Sequence, residues 1–177
     1  TPLASDMSST ILSRPLDISS FGLIYAGAQK NIGPAGLTVV LIRKDLIRGT
    51  RSNVPHLLDY SIYDQSDSMS NTPPVFSLYV AGLVFEYLKE QGGLEIIGEK
   101  NEIKAKKLYT TIDNSSFYSN PVERNFRSLT NIPFVLHDNS LDSKFLEGAA
   151  RAGLANLKGH RTAGGMRASI YNAMPED

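Results

Sequence analysis

The stretch that decides the fold runs from Tyr25 to Gly36 and reads Tyr-Ala-Gly-Ala-Gln-Lys-Asn-Ile-Gly-Pro-Ala-Gly. The apolar run before it, Phe21 to Tyr25, predicts a buried strand, and Leu37 to Ile42 predicts another. The small residues between the two runs keep side-chain bulk away from the backbone, so a flat or bulky group can approach closely. A single lysine, Lys30, lies in the middle of this loop.

We expect Lys30 to be partly desolvated in this setting of small residues. Desolvation favours the neutral amine, which is the form that attacks a carbonyl group. A Schiff-base lysine requires this property. A solvated loop lysine and a simple phosphate contact are the alternative interpretations. A Walker-type loop is excluded, because the chain has no Gly-x-x-x-x-Gly-Lys-[Ser/Thr] spacing.

Composition narrows the class of protein. The 177 residues include 18 basic and 18 acidic side chains and no cysteine. The balanced charge, without a basic stripe, argues against nucleic acid as a partner. The lack of cysteine excludes disulfides, thiolate metal sites and cysteine nucleophiles. No apolar run is long enough to span a membrane, so we expect a cytoplasmic protein without a membrane partner. The chain starts at Thr1 in sequence typical of a fold interior, which suggests a piece of a larger polypeptide.

Periodicity and turn residues predict the order of the elements. Residues 1–72 have strand and loop character, with turns at Ser13-Arg14-Pro15 and Arg48-Gly49-Thr50. Later elements are a helix from Pro73-Pro74 to Gly92-Gly93, a solvated amphipathic helix over 95–112, a strand over 127–136, a helix over 141–152, a short strand over 154–157 and a glycine-rich segment over 159–165. This alternation predicts an α/β fold over residues 1–92 and a smaller α+β unit over residues 93–177.

The cluster Asp6-Met7-Ser8-Ser9 is the first candidate partner of Lys30. Two neighbouring strands can bring Asp6 and Lys30 to the same end of a sheet. A carboxylate there could pair with a protonated pyridine nitrogen and make the ring an electron sink. The alternative is a surface turn or a helix cap.

Two further features are typical of a phosphate site. Asn71 and Thr72 lie just before a predicted helix, where free backbone N–H groups and the helix dipole favour an anion. Thr72 could instead be the N-cap of that helix. Gln29, next to Lys30, has an amide that could donate to a cofactor oxygen.

The segment from Gly159 to Ser169 carries His160, Arg161 and Arg167 on a glycine-rich connection. Arginine forks pair with carboxylate or phosphate groups, so this segment could hold an anion at each end. Structural ion pairs of the arginines are the alternative. His56 and His137 have no partners at metal-ligand spacing, so no metal site is predicted.

Five stretches of the chain resemble the phosphoserine aminotransferase family. They are ASDMSS (4–9), SRPLDISSFGLIYAGAQKNIGPAGLTVVLIRKDL (13–46), DSMSNTPPVFSLYVAGLVFEYLKEQGGL (67–94), NIPF (131–134) and GHRTAGGMRASIYNAMP (159–175). The resemblance implies an enzyme of fold type I that depends on pyridoxal 5'-phosphate. The chain would comprise the C-terminal part of the large cofactor-binding domain and a small C-terminal domain.

The resemblance also implies a cofactor site. Lys30 corresponds to the family's Schiff-base lysine, and Asp6 to the aspartate that pairs with the pyridine nitrogen. Gln29 corresponds to a residue at the cofactor phosphate. Asn71 and Thr72 correspond to residues that reach this phosphate from the neighbouring subunit, which implies a homodimer with shared active sites.

The substrate residues follow from the same resemblance. Arg167 corresponds to the arginine that binds the substrate α-carboxylate. His160 and Arg161 correspond to the pair that binds the distal anion, which is the phosphate of phosphoserine or the side-chain carboxylate of glutamate. The implied reaction converts phosphoserine and 2-oxoglutarate to 3-phosphohydroxypyruvate and glutamate, reversibly, in serine biosynthesis.

The chain departs from the family in length. Members of the family are about twice as long, and the N-terminal half that supplies the glycine-rich phosphate loop and the ring-stacking aromatic has no counterpart here. We therefore expect the 177 residues alone to be inactive. The alternatives are another transaminase or desulfurase of fold type I, and a catalytically incomplete structural or dimerisation fragment.

Overall fold

The computed structural model describes residues 1–47 and 53–176, which form two units. Unit 1 contains Thr1–Ile11 and Leu16–Glu90, and unit 2 contains Leu12–Pro15 and the residues from Gln91 onward. A four-residue segment near the start of the chain therefore belongs to unit 2, although its neighbours on both sides belong to unit 1. The turn predicted at Arg48-Gly49-Thr50 lies outside the described residues.

Unit 1 is built on a three-stranded sheet. Its elements are β1 (Ala4–Asp6), β2 (Leu23–Gly27), β3 (Thr38–Ile42), α1 (Tyr60–Gln65) and α2 (Val75–Glu90). β1 pairs with β2 in parallel, and β2 pairs with β3 antiparallel. Ile24 and Ala26 are almost completely buried while their neighbours along β2 are not, which is the alternation expected of a sheet with one covered face. Both predicted strands are present. β2 starts two residues later than predicted, and β3 was expected to be buried but contains no buried residue.

The helix predicted after Pro73-Pro74 is confirmed as α2, and it packs on the loop between β2 and β3. Ala81 lies so close to Gly33 that a Cβ on that glycine would be 3.5 Å from the Ala81 nitrogen. Ser77 Oγ donates a 2.9 Å hydrogen bond to the carbonyl of Ala35. Two contacts thus hold the loop from one side.

Two details of unit 1 differ from the expectations. α2 begins at Val75, three residues after Thr72, so Thr72 is not its N-cap. The short helix α1 was not predicted. Its signal is local, because Asp59 Oδ1 accepts from the backbone N–H of Ser61 at 2.9 Å and caps the helix.

Unit 2 is an antiparallel sheet with two α-helices. Its elements are α3 (Gly93–Asp113), β4 (Tyr118–Ser119), β5 (Asn131–Leu136), α4 (Asp142–Arg151) and β6 (Met166–Ser169), with the strand order β4-β5-β6. Ile132, Leu136 and Met166 are at most 1% exposed and form the core with Tyr109 of α3. Every second residue of β5 is buried, again as the pleat requires.

The sequence predictions for unit 2 are mostly confirmed. Both helices are present, and the strand predicted over 127–136 is shorter and starts at Asn131. The short strand predicted over 154–157 is wrong. Gly153 and Asn156 have φ angles of 83° and 60°, and this left-handed backbone turns the chain out of an extended path.

The polar residues of α3 lie on two faces. Glu102 and Lys106 are exposed, as predicted for a solvated face, whereas Asn101 is buried. Asn101 is 1% exposed and donates to the carbonyl of Ser13 at 2.9 Å and to Asn172 Oδ1 at 2.8 Å. Asn172 Nδ2 in turn donates to the carbonyl of Leu12 at 2.9 Å. These bonds fasten the segment Leu12–Pro15 to unit 2.

Lys104 lies one turn further along α3 and is also buried. Its Nζ donates to the carbonyls of Tyr171 and Met174 at 3.0 and 2.9 Å and approaches that of Ile170 at 3.5 Å. Burial lowers the pKa of Lys104. The lysine therefore holds the chain that follows β6.

No α-helix in the described part of the chain is long and apolar enough to cross a bilayer.

Candidate functional site

The carboxyl ends of β1 and β2 meet at one edge of the unit 1 sheet, and Asp6 lies at this edge opposite Tyr25. Asp6 Oδ1 accepts hydrogen bonds from the backbone N–H of Ser8 at 2.8 Å and from Ser8 Oγ at 2.6 Å. Ser8 Oγ also accepts from the backbone N–H of Gly27 at 3.0 Å. One serine hydroxyl thus links the aspartate to the end of the neighbouring strand.

The charge of Asp6 is stabilised at this position. The hydroxyl and then the backbone N–H of Ser8 lower the pKa of Asp6, and the positive charge of Lys30 lowers it further. Because β1 and β2 are parallel neighbours, Asp6 and the loop that carries Lys30 lie at the same end of the sheet, as predicted. The alternative interpretation of Asp6 as a turn residue also describes the geometry, since the two hydrogen bonds to Ser8 form an Asx turn.

Lys30 lies on a single helix-like turn whose backbone is anchored in the core. The carbonyl of Ala28 accepts from the N–H groups of Ile32 at 3.2 Å and Gly33 at 2.7 Å. The N–H of Ala28 donates to the carbonyl of Leu37 at 2.9 Å. The side chains of Ala28 and Ile32 are at most 1% exposed, which fixes the turn, whereas Lys30 on the same turn is exposed.

The expected desolvation of Lys30 is wrong for this chain by itself. Lys30 is exposed, and its amine has no hydrogen bond or ion pair with any residue in 1–47 or 53–176. The small residues around it clear space that the chain's own side chains do not fill. The amine is therefore free to react with another molecule.

Gln29 packs beside the end of β2, and its side chain has no hydrogen bond to another residue in the described ranges. It is exposed, and its carboxamide lies directly over Gly27, where a Cβ would overlap Oε1. Any larger residue at position 27 would displace the amide. Gly27 therefore has a steric role beside the predicted site.

Asn71 and Thr72 are exposed and precede α2. Asn71 Nδ2 donates to the carbonyl of Thr72 at 2.9 Å. Within the described ranges no hydrogen bond joins either residue to Lys30. The structure of one chain thus leaves these two side chains available to another molecule.

In unit 2 the residues around His160 form a closed loop at the start of β6. The N–H of Arg167 donates to the carbonyl of Leu157 at 2.7 Å, and that of Gly159 to the carbonyl of Gly165 at 2.9 Å. A Cβ at Gly159 would overlap the carbonyl of Gly164, so only glycine closes the loop in this way. The loop ends are therefore fixed on the sheet.

The three predicted anion-binding residues lie on or beside this loop, and all three are exposed. In the part of the chain that the structure describes, Arg161 and Arg167 form no ion pair, so the interpretation as structural ion pairs is not supported. His160 Nδ1 lies 2.8 Å from Thr162 Oγ1 and 3.3 Å from the backbone nitrogen of Thr162. Sequence reasoning missed Thr162, whose only signal is its position two residues after His160.

A paired arginine lies elsewhere in unit 2. Arg127 donates two hydrogen bonds to Asp113, at 2.7 and 2.8 Å, and its guanidinium carbon lies 4.6 Å from the ring centre of Tyr109. The hydrogen bond from Arg127 lowers the pKa of Asp113. None of these groups belongs to the predicted site.

Within residues 1–47 and 53–176 no cluster of three or more His, Asp or Glu side chains could hold a metal ion.

The Aminotransferase class-V family matches residues 2–177, and the chain belongs to that family. The predicted family resemblance is thereby confirmed.

The chain is also similar to individual phosphoserine aminotransferases. It is 58% identical over 176 residues to the protein of Hahella chejuensis and 61% identical over 173 residues to that of Pseudomonas syringae pv. syringae. These alignments cover 99% and 98% of the chain but 49% and 48% of the relatives. The chain spans about half the length of the curated relatives it matches.

Solved structures confirm the predicted α/β fold. One is a phosphoserine aminotransferase solved to follow radiation damage of its Schiff base, with a TM-score of 0.95 and 51% identity. Another, from Bacillus circulans subsp. alkalophilus, has a TM-score of 0.94 and 46% identity. Each comparison covers 99% of this chain and 49% of the other. A third, a pyridoxal-phosphate-bound phosphoserine aminotransferase from Trichomonas vaginalis, has a TM-score of 0.92, 42% identity and coverage of 99% and 50%.

Proposed function

We propose that this chain forms part of an enzyme, called the complete protein below, that transfers the amino group of O-phospho-L-serine to 2-oxoglutarate. The products are 3-phosphohydroxypyruvate and L-glutamate, as in serine biosynthesis. The observation that carries the proposal is the edge where the stabilised carboxylate of Asp6 lies within electrostatic reach of the unpaired amine of Lys30. The identity of 58–61% to phosphoserine aminotransferases supports the choice of substrate.

The residues at this edge fit pyridoxal 5'-phosphate. Lys30 has a free amine for the cofactor's aldehyde, Asp6 has an ionised carboxylate for its ring nitrogen, and Gln29 has an amide for its phosphate. The cofactor supplies an electron sink for the bond that breaks at the substrate's Cα. These three groups are part of what such a cofactor requires, and they lie at one edge of one sheet.

Each residue then has a separate task. Lys30 would hold the cofactor through its amine. Once free, the same amine would take the proton from the substrate Cα as general base and would give this proton up as general acid during transfer of the amino group. Asp6 keeps the ring nitrogen protonated. Ser8 holds the Asp6 carboxylate in its ionised form through its two hydrogen bonds.

Substrate binding is the task of the exposed cations of unit 2. Arg167 binds the α-carboxylate, and Arg161 with His160 binds the distal phosphate or carboxylate. An arginine fork suits both anions, so one pocket serves phosphoserine and glutamate. In this proposal residues 1–92 end the large cofactor-binding domain and residues 93–177 form the small domain. The division of the described chain after Glu90 supports this boundary.

The complete protein is proposed to act in the cytoplasm as a homodimer. Asn71 and Thr72 would bind the cofactor phosphate of the partner subunit, which is compatible with their exposed position ahead of α2. A shared site of this kind needs both subunits for activity.

The function is tested by assaying the complete protein with phosphoserine, glutamate and alanine as amino donors. Borohydride reduction followed by peptide mapping then identifies the lysine that carries the cofactor. We expect turnover with phosphoserine and glutamate, and attachment at Lys30. Attachment at another lysine would refute the site, and sulfur release from cysteine without transamination would identify a desulfurase. Absence of cofactor binding would leave a structural role.

The shared site is tested by complementation. A complete subunit with Lys30→Ala is mixed with one altered at both Asn71 and Thr72. If sites are shared, one site of each heterodimer carries both defects and the other carries none, so activity returns. If each subunit builds its own site, every site carries one defect and the mixture stays inactive.

A further inference from the structure

We infer that Thr162 is a positioning residue that determines which ring nitrogen of His160 carries the proton, so that Nε2–H faces the distal anion of the substrate. The inference rests on the proposed function in one respect, namely that His160 meets that anion. It adds a residue that no part of the predicted site included. The geometry of the loop carries the argument.

Thr162 contacts the ring at two points. Its hydroxyl oxygen lies 2.8 Å from His160 Nδ1, and its backbone N–H points at the same nitrogen from 3.3 Å. A backbone N–H can only donate, so this contact favours a ring whose Nδ1 accepts, and the Thr162 hydroxyl can then donate the shorter hydrogen bond to the same nitrogen. A neutral imidazole that accepts at Nδ1 carries its proton on Nε2.

The other edge of the ring is free. His160 is exposed, and among the described residues Nε2 has no hydrogen-bond partner. The ring therefore presents one N–H donor outward, on the same loop as the exposed Arg161. A phosphate or carboxylate offers only acceptors when fully ionised, so this donor matches it.

The backbone of the loop keeps the two residues in register. The carbonyl of His160 accepts from the N–H groups of Ala163 at 3.1 Å and Gly164 at 2.8 Å. The N–H of Gly159 donates to the carbonyl of Gly165 at 2.9 Å, which closes the loop outside them. These backbone hydrogen bonds fix the loop without the Thr162 side chain. The Thr162 hydroxyl contacts the His160 ring, so its removal should affect the ring and leave the loop backbone unchanged.

The first test reads the ring directly. Histidine side chains are labelled with ¹⁵N in the complete protein with its cofactor bound, and the His160 signals are assigned by their loss in His160→Gln. We expect the Nε2–H tautomer in the native protein and in Thr162→Ser. Thr162→Val keeps only the longer backbone contact of 3.3 Å to Nδ1, so the share of the Nδ1–H tautomer should rise in that variant. The Nδ1–H tautomer in the native protein, or an unchanged signal in Thr162→Val, would overturn the inference.

The second test reads the substrate. Loss of one neutral hydrogen bond that orients a donor should raise KM for phosphoserine and glutamate about three- to tenfold in Thr162→Val, and Thr162→Ser should restore it. KM for alanine, which has no distal anion, should stay unchanged. An equal rise for all three donors would show a merely structural role and overturn the inference. If the native protein did not turn over phosphoserine, the proposed function would fail, while the tautomer would still decide the role of Thr162.

Discussion

Two lysines of this chain lie at opposite extremes. Lys30 in unit 1 is exposed, and its amine has no partner in the described residues, although the turn beneath it is anchored in the core. Lys104 in unit 2 is 8% exposed, and carbonyl groups of the chain that follows β6 accept its hydrogen bonds. In unit 1 a fixed backbone presents the free amine of Lys30, whereas in unit 2 the amine of Lys104 binds and fixes a stretch of backbone.

The difference separates functional charges from structural ones. A buried cation is tolerated when its N–H groups are satisfied, so a satisfied lysine or arginine indicates a structural role. A cation that is presented on a fixed backbone without a partner indicates that the partner is another molecule. Arg161 and Arg167 belong with Lys30 in this respect, and Arg127 belongs with Lys104.

The largest effect is expected for Lys30→Ala. Removal of the group that moves the proton at the substrate Cα should lower turnover of the complete protein by about three orders of magnitude or more. The cofactor should still bind without a covalent bond, and the unfolding midpoint in urea should stay within error. Steady-state kinetics and absorbance spectra measure both effects. Lys44→Ala, an exposed lysine of the same unit, is the control, and equal losses in both variants would contradict the assignment.

A second free cation is Arg161. Its replacement by leucine removes a charge-assisted contact to the distal anion, which should cost roughly 2–4 kcal/mol in kcat/KM for phosphoserine and glutamate. Alanine, without a distal anion, should lose much less. Steady-state kinetics with the three donors measure the difference. An equal loss for all three would place Arg161 among the structural cations.

The paired lysine should behave in the opposite way. Lys104→Met keeps the length of the side chain but leaves buried carbonyls without a donor, which should destabilise the protein by about 1–3 kcal/mol. Lys106→Met, an exposed lysine on the same helix, should change stability by less than about 0.5 kcal/mol. Urea unfolding measures both. If Lys104→Met lowered kcat and left stability unchanged, the distinction between the two lysines would fail.

The smallest effect concerns pH and the pair of Asp113 with Arg127. Because Arg127 lowers the pKa of Asp113, the unfolded chain takes up this proton at a higher pH than the folded chain does. The contribution of the pair is therefore complete above the ordinary aspartate pKa of about 4 and is lost as the pH falls below it.

Asp113→Asn should thus reduce stability at neutral pH by less than roughly 1 kcal/mol and flatten the acid limb of the stability curve below about pH 4. Urea midpoints measured across this range are the readout. Asp64→Asn, at an exposed aspartate of α1, provides the comparison. An acid limb that persisted unchanged in Asp113→Asn would show that other carboxyl groups determine it.

Much of the fold could be predicted from the sequence, because the signals were local. The apolar runs around Lys30 and the Pro73-Pro74 start of α2 each lie within a few residues of the element they predict. The error over 154–157 was also local, since the left-handed conformation of Asn156 is not visible in an apolar run. The capped start of α1 was available in the sequence and was overlooked.

The rest depended on contacts over long distances in the chain. Asn101 and Lys104 are polar residues of an amphipathic helix, and nothing near them in sequence indicates that carbonyl groups 66 to 88 residues away cover them. The exposure of Lys30 was missed for a related reason. A gap between small residues could be recognised, but what fills it could not. Thr162 was missed because its spacing of two residues from His160 becomes informative only when the loop conformation is known.

The segment Leu12–Pro15 also constrains how the chain folds during synthesis. Its carbonyl acceptors at Leu12 and Ser13 are produced early, but their donors follow 160 and 88 residues later. At about 5–20 residues per second the ribosome needs several seconds to supply Asn101 and longer to supply Asn172. During that interval the carbonyl groups of Leu12 and Ser13 lack these two donors. Unit 2 can therefore form its full set of hydrogen bonds only after Asn172 has been synthesised.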